Sequence, residues 1–147
     1  MAYSDRELLA RLIQCEAGGE GENGMKGVAS VVMNRVYAPG GEYQRISRGG
    51  SIRNIIFQEN QFTCVKEYIN GVYNSQNIYN MNPTDIHYYI ADWAIAGNRL
   101  FNLGEALWFF NPYSPTCPNN FPTQVGYFIV RISDHCFYNP TSAYFLT

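Results

Sequence analysis

The apolar positions follow a helical period at the start of the chain and a strand-like one near its end. Leu8, Leu9, Leu12 and Ile13 recur at the spacing of one buried helical stripe. Ser4 lies just before them and Glu7 three residues later. This is a capping box: the hydroxyl accepts from the Glu7 amide and the carboxylate reaches back. Gly18-Gly19 is expected to supply the positive φ that ends this helix. A second helix is predicted from about Asn23, as its cap, to Val36, with Met25, Val28, Val32 and Val36 on one face. "APGGEYQRISRGG" reads as a loop. Ser51 is expected to cap a short helix through "IRNIIFQ", with Ile52, Ile55 and Ile56 inward. "QENQFTCVKEYINGVYN" has no clear period. "NPTDIHYYIADWAIAGN" predicts a further helix, capped by Thr84 and closed by Gly97, with Ile86, Tyr89, Ile90 and Trp93 inward.

The last third changes character. "ALWFFNP" and "GYFIVRIS" are rich in aromatic and branched residues, with Pro112, Pro115, Pro118 and Pro122 between them. They read as two strands joined by a long turn, a small antiparallel hairpin. Helices first and a little sheet late predict an α+β fold. The length, 147 residues, suits one domain.

Charge narrows the function classes. A net charge of −2 and a pI near 5.6 leave no basic stripe to neutralise phosphates, so a nucleic-acid binder is not expected. No apolar run approaches the ~18–20 residues of a membrane span. "MAYSDRELLARLI" lacks a basic start, a long apolar segment and a small-residue cleavage site, so synthesis in a cytoplasm without a signal peptide is expected. The aromatic content of 16% suits either a tyrosine-rich core and surface or a groove that stacks flat ligands such as sugar rings. Cys15, Cys64, Cys117 and Cys136 form no CxxC pair, and His87 and His135 lie far apart in sequence, so no metal site is expected. The four cysteines permit disulfides, but the sequence fixes no pairing. A Cys117–Cys136 crosslink would flank the expected hairpin, although a cytoplasmic origin weighs against it.

Glu16 is the residue that departs from pattern. It lies four residues after Leu12 and three after Ile13, so it projects from the apolar stripe. Burial disfavours its ionised form, and so does the partial negative charge of a helix C-terminus. Both push toward the raised pKa of a general acid. Alternatively, Glu16 turns to solvent or pairs with a base such as Arg35.

"LLARLIQCEAGGEGENGMKGVASVVMNRV" resembles the opening of the cell wall hydrolase family of SleB and CwlJ: a leucine-rich helix, E-A-x-G-E, then a glycine-led helix ending in N-R. The likeness continues through "IRNIIFQENQFTCV", "ALWFFNP" and "ISDHCFYNPT", roughly Glu7 to Thr141. The short CwlJ branch is the more similar one, because it too lacks a signal peptide and a separate peptidoglycan-binding domain. It also carries the features seen at Cys117-Pro118 and from His135 to Thr141. The resemblance implies one catalytic domain with a lysozyme-like fold related to lytic transglycosylases and resuscitation-promoting factors. It implies a spore cortex-lytic peptidoglycan hydrolase active in germination, at the boundary of spore coat and cortex, with coat proteins as candidate partners.

On this resemblance the catalytic glutamate maps onto Glu16, and Glu20 onto the second acidic position. Glu20 would contact substrate or orient Glu16; capping or pairing at the start of the second helix is the alternative. Gln61 and Phe62 fall on the family's Q-x-x-x-F end, suited to polar reach and ring stacking or equally to turn and core. Trp108 and Phe110 would share one strand face and Phe109 the other. Asn111 would bond an acetamido group or start the turn before Pro112. His135 would bond a backbone carbonyl near the site, and Tyr138 belongs to the same segment. Glycoside cleavage needs a proton on the leaving oxygen. No convincing second acid appears later in the chain, which favours attack by the muramic acid 6-hydroxyl and a 1,6-anhydro product. No cofactor is needed. Members of the branch respond to calcium with dipicolinate, but no EF-hand pattern is present, so any calcium effect would be indirect or use an irregular site. Two rivals stand beside this: a non-catalytic glycan-binding or coat-assembly protein on the same fold, and a cysteine hydrolase using Cys64 or Cys136.

Overall fold

The computed structural model describes residues 2–147. Helix α1 (Asp5–Ala17) starts where expected, with Ser4 Oγ accepting from the Glu7 amide at 3.1 Å, but the second half of the box does not form, because Glu7 Oε2 accepts from Arg11 Nε at 2.9 Å. Leu8, Leu9, Leu12 and Ile13 are fully buried, each contributing about 2 kcal/mol of apolar burial. The helix stops without the expected positive φ: Gly18 keeps a right-handed φ of −57°, and the left-handed residue is Gly21 at φ 76°. Helix α2 (Gly21–Val36) follows at once. Its N-cap is Glu20, not Asn23, and Glu20 makes no side-chain capping bond.

The segment read as a loop holds a helix, α3 (Gly41–Ser47). Its pattern is too short to show a period; tertiary packing holds it. Tyr43 is buried beside Trp108 and Tyr144, with ring centroids 6.3 and 5.9 Å away. Helix α4 (Ile52–Ile56) is capped by Ser51, and its three isoleucines face in as expected.

The unassigned stretch contains a 3-10 turn (Thr63–Val65) and a two-residue hairpin, β1 (Tyr68–Ile69) with β2 (Val72–Tyr73). Helix α5 (Asp85–Ile95) is capped by Thr84, whose amide donates to His87 Nδ1 at 2.9 Å. Ile90 is buried and Ile86 and Trp93 are half-buried, but Tyr89 is exposed rather than inward. Lys26 lies over the Tyr89 and Trp93 rings, a cation–π cover at the edge of the core.

Three strands form the main sheet: β3 (Trp108–Phe110), β4 (Gly126–Ile132) and β5 (His135–Pro140). Their order is β3-β5-β4, both pairs antiparallel. The late antiparallel hairpin therefore exists, but it is β4–β5. β3 and β4, the two strands read from sequence, never pair, because β5 lies between them. "HCFYNP" alternates too weakly to announce a central strand.

The fold is α+β, with the helices gathered around the apolar stripe of α1 and the sheet packed on α2. Two disulfides, Cys15–Cys64 and Cys117–Cys136, tie the helical part to the segment after α4 and the β3 exit to β5. Among the described residues no helix is long and apolar enough to cross a membrane.

Gly27 marks the closest approach of α2 to the sheet. A Cβ there would meet Phe137 Cζ at 2.7 Å and Cε1 at 3.1 Å. Phe137 is fully buried and has no room to move. Alanine improves helix propensity by about 1 kcal/mol, against an overpacking cost of about 1–3 kcal/mol. Gly27→Ala is expected to be destabilising by up to about 2 kcal/mol net, read as a lower denaturant midpoint at unchanged slope.

Candidate active site

The end of α1 delivers Glu16 to a cleft of about 860 Å³. Three parts of the chain line it: residues 14–20 at the α1–α2 corner, residues between 61 and 76, and β3 with its exit to Tyr113. Arg35, His87 and His135 complete the lining. Cys15–Cys64 fixes the second part to the residue directly before Glu16.

Glu16 is half-buried and forms no ion pair within 4.0 Å among the described residues. Burial drives its carboxyl from an ordinary 4.5 up to about 7, and the positive charge of Arg35 offsets part of that rise. Arg35 does not pair with it directly. Its Nε donates to the Leu107 carbonyl at 2.7 Å and its Nη1 to Gln61 Oε1 at 3.3 Å. Its guanidinium also lies over the Tyr43 and Phe62 rings, 4.6 and 5.2 Å from their centroids. The cation is thus held near the carboxylate but spent elsewhere.

Gln61 is fixed by the same group. Its Oε1 accepts from Tyr43 Oη at 2.8 Å as well as from Arg35. With the amide oxygen engaged, its NH₂ is the group left to donate into the cleft. Phe62 is buried, stacks on Phe109 at 6.3 Å and forms part of the cleft wall.

Glu20 also borders the cleft, but its side chain is occupied. Oε1 accepts from the Asp134 amide at 2.9 Å and lies 3.4 Å from His135 Nδ1. Its backbone carbonyl accepts from Ser133 Oγ at 2.8 Å. Glu20 therefore ties the α1–α2 corner to the β4–β5 turn. Among the described residues His135 bonds no backbone carbonyl, contrary to expectation, and its Nδ1 is not aligned for a hydrogen bond with Glu20. Burial lowers its pKa against the pull of Glu20 and Asp134, and the ring packs edge-on against Phe109 at 5.1 Å.

Asn111 lines the cleft and starts the turn as well, with Oδ1 accepting from the Tyr113 amide at 2.8 Å. Phe110 lines it and stacks on Phe121 at 4.0 Å. Two expected contact residues are not there. Trp108 is buried against Tyr43 and Tyr144 behind the cleft. Tyr138 is fully buried, and its hydroxyl donates to the Pro118 carbonyl at 2.7 Å. Both are core because aromatic rings cover them, Tyr43 and Tyr144 over Trp108 and Phe110, Phe121 and Phe128 around Tyr138; Phe109, on the other strand face, lines the cleft together with Phe110 at the strand exit. Cys64 and Cys136 are both disulfide-bonded, so neither is a free thiol nucleophile, and the cysteine-hydrolase reading falls.

Sequence reasoning missed Tyr43, Tyr113, Ile69 and the Cys15–Cys64 link. Tyr43 lay in the stretch read as loop. The only signal for the link was that Cys15 adjoins Glu16.

Known proteins of similar sequence and fold cover most of the chain. The sequence profile of the Cell Wall Hydrolase family matches residues 19–138, a span that opens three residues after Glu16. The cell wall hydrolase CwlJ of Bacillus subtilis (strain 168) is 31% identical over 139 residues, covering 95% of this chain and 87% of that protein. CwlJ of Oceanobacillus iheyensis is 32% identical over 138 residues, covering 93% and 87%. Among solved structures, the catalytic domain of the germination-specific lytic transglycosylase SleB from Bacillus anthracis aligns with a TM-score of 0.65 and 25% identity, over 94% of this chain and 98% of that one. The Bacillus cereus SleB catalytic domain aligns with a TM-score of 0.67 and 26% identity, over 94% and 93%.

The raised Glu16 carboxyl has a cost in stability. Its folded pKa lies above the unfolded one, so the folded state favours the proton and the ionised form is penalised. That penalty is absent below pH 4.5, grows between 4.5 and about 7, and is complete above that. Glu16→Gln removes it. The variant should be more stable than the parent by up to about 3 kcal/mol at about pH 8.5. Thermal melts across pH should show that gain shrinking to nothing as the pH falls to about 4.

Proposed function

Since the chain belongs to the cell wall hydrolase family, we propose that it is a peptidoglycan glycosidase that cleaves β-1,4 bonds of spore-cortex glycan during germination. Residues 1–147 act as one catalytic domain, and Glu16 is its general acid and base. The observation that carries this reading is a half-buried carboxyl with a pKa of about 7, unpaired among the described residues, on the wall of a large cleft. Such a group is protonated in a useful fraction at neutral pH and gives up its proton readily, as leaving-group protonation requires.

Glu16 donates its proton to the glycosidic oxygen as the C1–O bond breaks and an oxocarbenium-like centre develops. The resulting carboxylate then takes the proton of the muramic acid 6-hydroxyl. That oxygen bonds to C1, and a 1,6-anhydro end is released without water. The alternative needs a second carboxylate across the sugar as base or nucleophile. Glu20 is the other acidic residue on the cleft, and it already holds the Asp134 amide. This supports the single-acid route, as does the lytic transglycosylase activity in the name of the Bacillus anthracis neighbour. Gln61 and Asn111 offer amide groups suited to acetamido and hydroxyl partners. The setting is the boundary of spore coat and cortex, with coat proteins as partners.

Mass spectrometry of fragments released from purified cortex tests this. The parent should release anhydro-ended fragments and Glu16→Gln none. Reducing ends instead would mean that water completes the reaction. Full digestion by Glu16→Gln would exclude Glu16 as the acid and with it the proposed chemistry. The parent's kcat/KM should also fall as the pH rises through about 7, because the proton that Glu16 must donate is lost there.

A further inference from the structure

Tyr113 is the most unusual residue on the cleft rim. Its ring is 90% exposed, yet it lines the cleft. Its φ is 51°, a left-handed conformation that costs a bulky residue energy and that glycine adopts freely. An exposed aromatic alone means little, since scattered apolar surface is normal. A strained one persists only where its surroundings hold it, and strain of this kind gathers at ligand sites.

The surroundings of Tyr113 do hold it. Asn111 Oδ1 accepts from its amide at 2.8 Å. Arg131 Nη1 donates to the Ser114 carbonyl at 2.8 Å. Cys117–Cys136 fastens the loop to β5, and Tyr138 Oη donates to the Pro118 carbonyl. The loop is pinned on both sides of a residue whose side chain touches almost nothing.

A second exposed apolar side chain borders the same cleft from the β1–β2 hairpin. Asn70 and Gly71, at φ 52° and 80°, turn it tightly. Ile69 pairs with Val72 on one face and Tyr68 with Tyr73 on the other. Tyr73 Oη accepts from Asn80 Nδ2 at 2.8 Å, which steadies the hairpin from the Tyr face. Ile69 is left on the cleft.

We propose that Tyr113 and Ile69 are saccharide-stacking contacts, a glycan subsite on the rim of the cleft. This rests on the glycosidase reading above. A sugar ring has a polar edge and an apolar C–H face. A flat exposed ring on a rigid loop suits that face and loses little side-chain entropy on binding. The cleft volume, about 860 Å³, lies toward the upper end for ligand pockets and has room for more than one ring. Occupant and site therefore match in shape and chemistry: a glycan strand running past Glu16, gripped at Tyr113.

The test reads binding to purified insoluble cortex by the full chain in the Glu16→Gln background, without turnover. Adding Tyr113→Gly should weaken binding about three- to tenfold, the effect of losing one aromatic contact. It should also raise the melting temperature, because glycine relaxes the left-handed backbone. Adding Tyr113→Phe should keep the affinity. A purely structural Tyr113 would give the stability change with unaltered binding, and that result overturns the proposal. Failure of the Glu16→Gln chain to bind cortex at all would overturn it together with the glycosidase reading. If only the glycosidase reading is wrong, the Tyr113→Gly loss of binding persists while the parent chain releases no fragments.

Discussion

A carboxyl in the last turn of α1 stands against an apolar core with no ion-pair partner among the described residues. That one constraint shapes the rest of the cleft. A direct ion pair with Arg35 would hold Glu16 ionised and unfit it for the proposed role of proton donor at neutral pH. Full isolation in oil would hold it protonated and make it a poor base. The structure does neither. Arg35 is close enough to moderate the rise in pKa, but its donors go to Leu107 and Gln61 and its plane to two aromatic rings. The penalty for a half-buried acid is offset by the four apolar residues that precede it on the same helix.

The elements around Glu16 serve mainly to keep that arrangement rigid. Cys15–Cys64 spans 49 residues and joins the residue beside Glu16 to the wall that carries Gln61 and Phe62. A crosslink closing a loop of that length is worth about 4 kcal/mol on chain-entropy grounds. Glu20, read from its motif as a substrate contact or a group orienting Glu16, holds the β4–β5 turn against the α1–α2 corner. Its role is to position the wall that includes His135. Tyr43, Arg35 and Gln61 form one hydrogen-bonded set, so the orientation of the Gln61 amide depends on a helix far from it in sequence.

What the sequence made legible follows the range of the interactions involved. Helices α1, α4 and α5 carry their own caps and periods, and Ser4, Ser51 and Thr84 all sit where local pattern put them. Glu16 was visible because its oddity is also local: an acid at the end of an apolar stripe. Helix α3 was not, because Tyr43 is held by Trp108 and Tyr144 rather than by any period of its own. The strand order β3-β5-β4 was hidden for the same reason. Trp108 and Tyr138 show the limit for site residues. Motif position brought them near the cleft, but which way a strand residue faces depends on what packs behind it, and both face the core. Of the disulfides, Cys117–Cys136 was a candidate from its place about the hairpin, whereas Cys15–Cys64 became visible only once the fold had brought the two cysteines together.

The state of the Glu16 carboxyl can be observed directly. With glutamate labelled at its side-chain carboxyl carbon, NMR titration of the parent chain, assigned through Glu16→Gln, should show one resonance with an apparent pKa near 7. A Glu16 midpoint below about 5, within the ordinary range of an exposed glutamate, would contradict the central claim that burial raises the pKa of this acid to near neutrality.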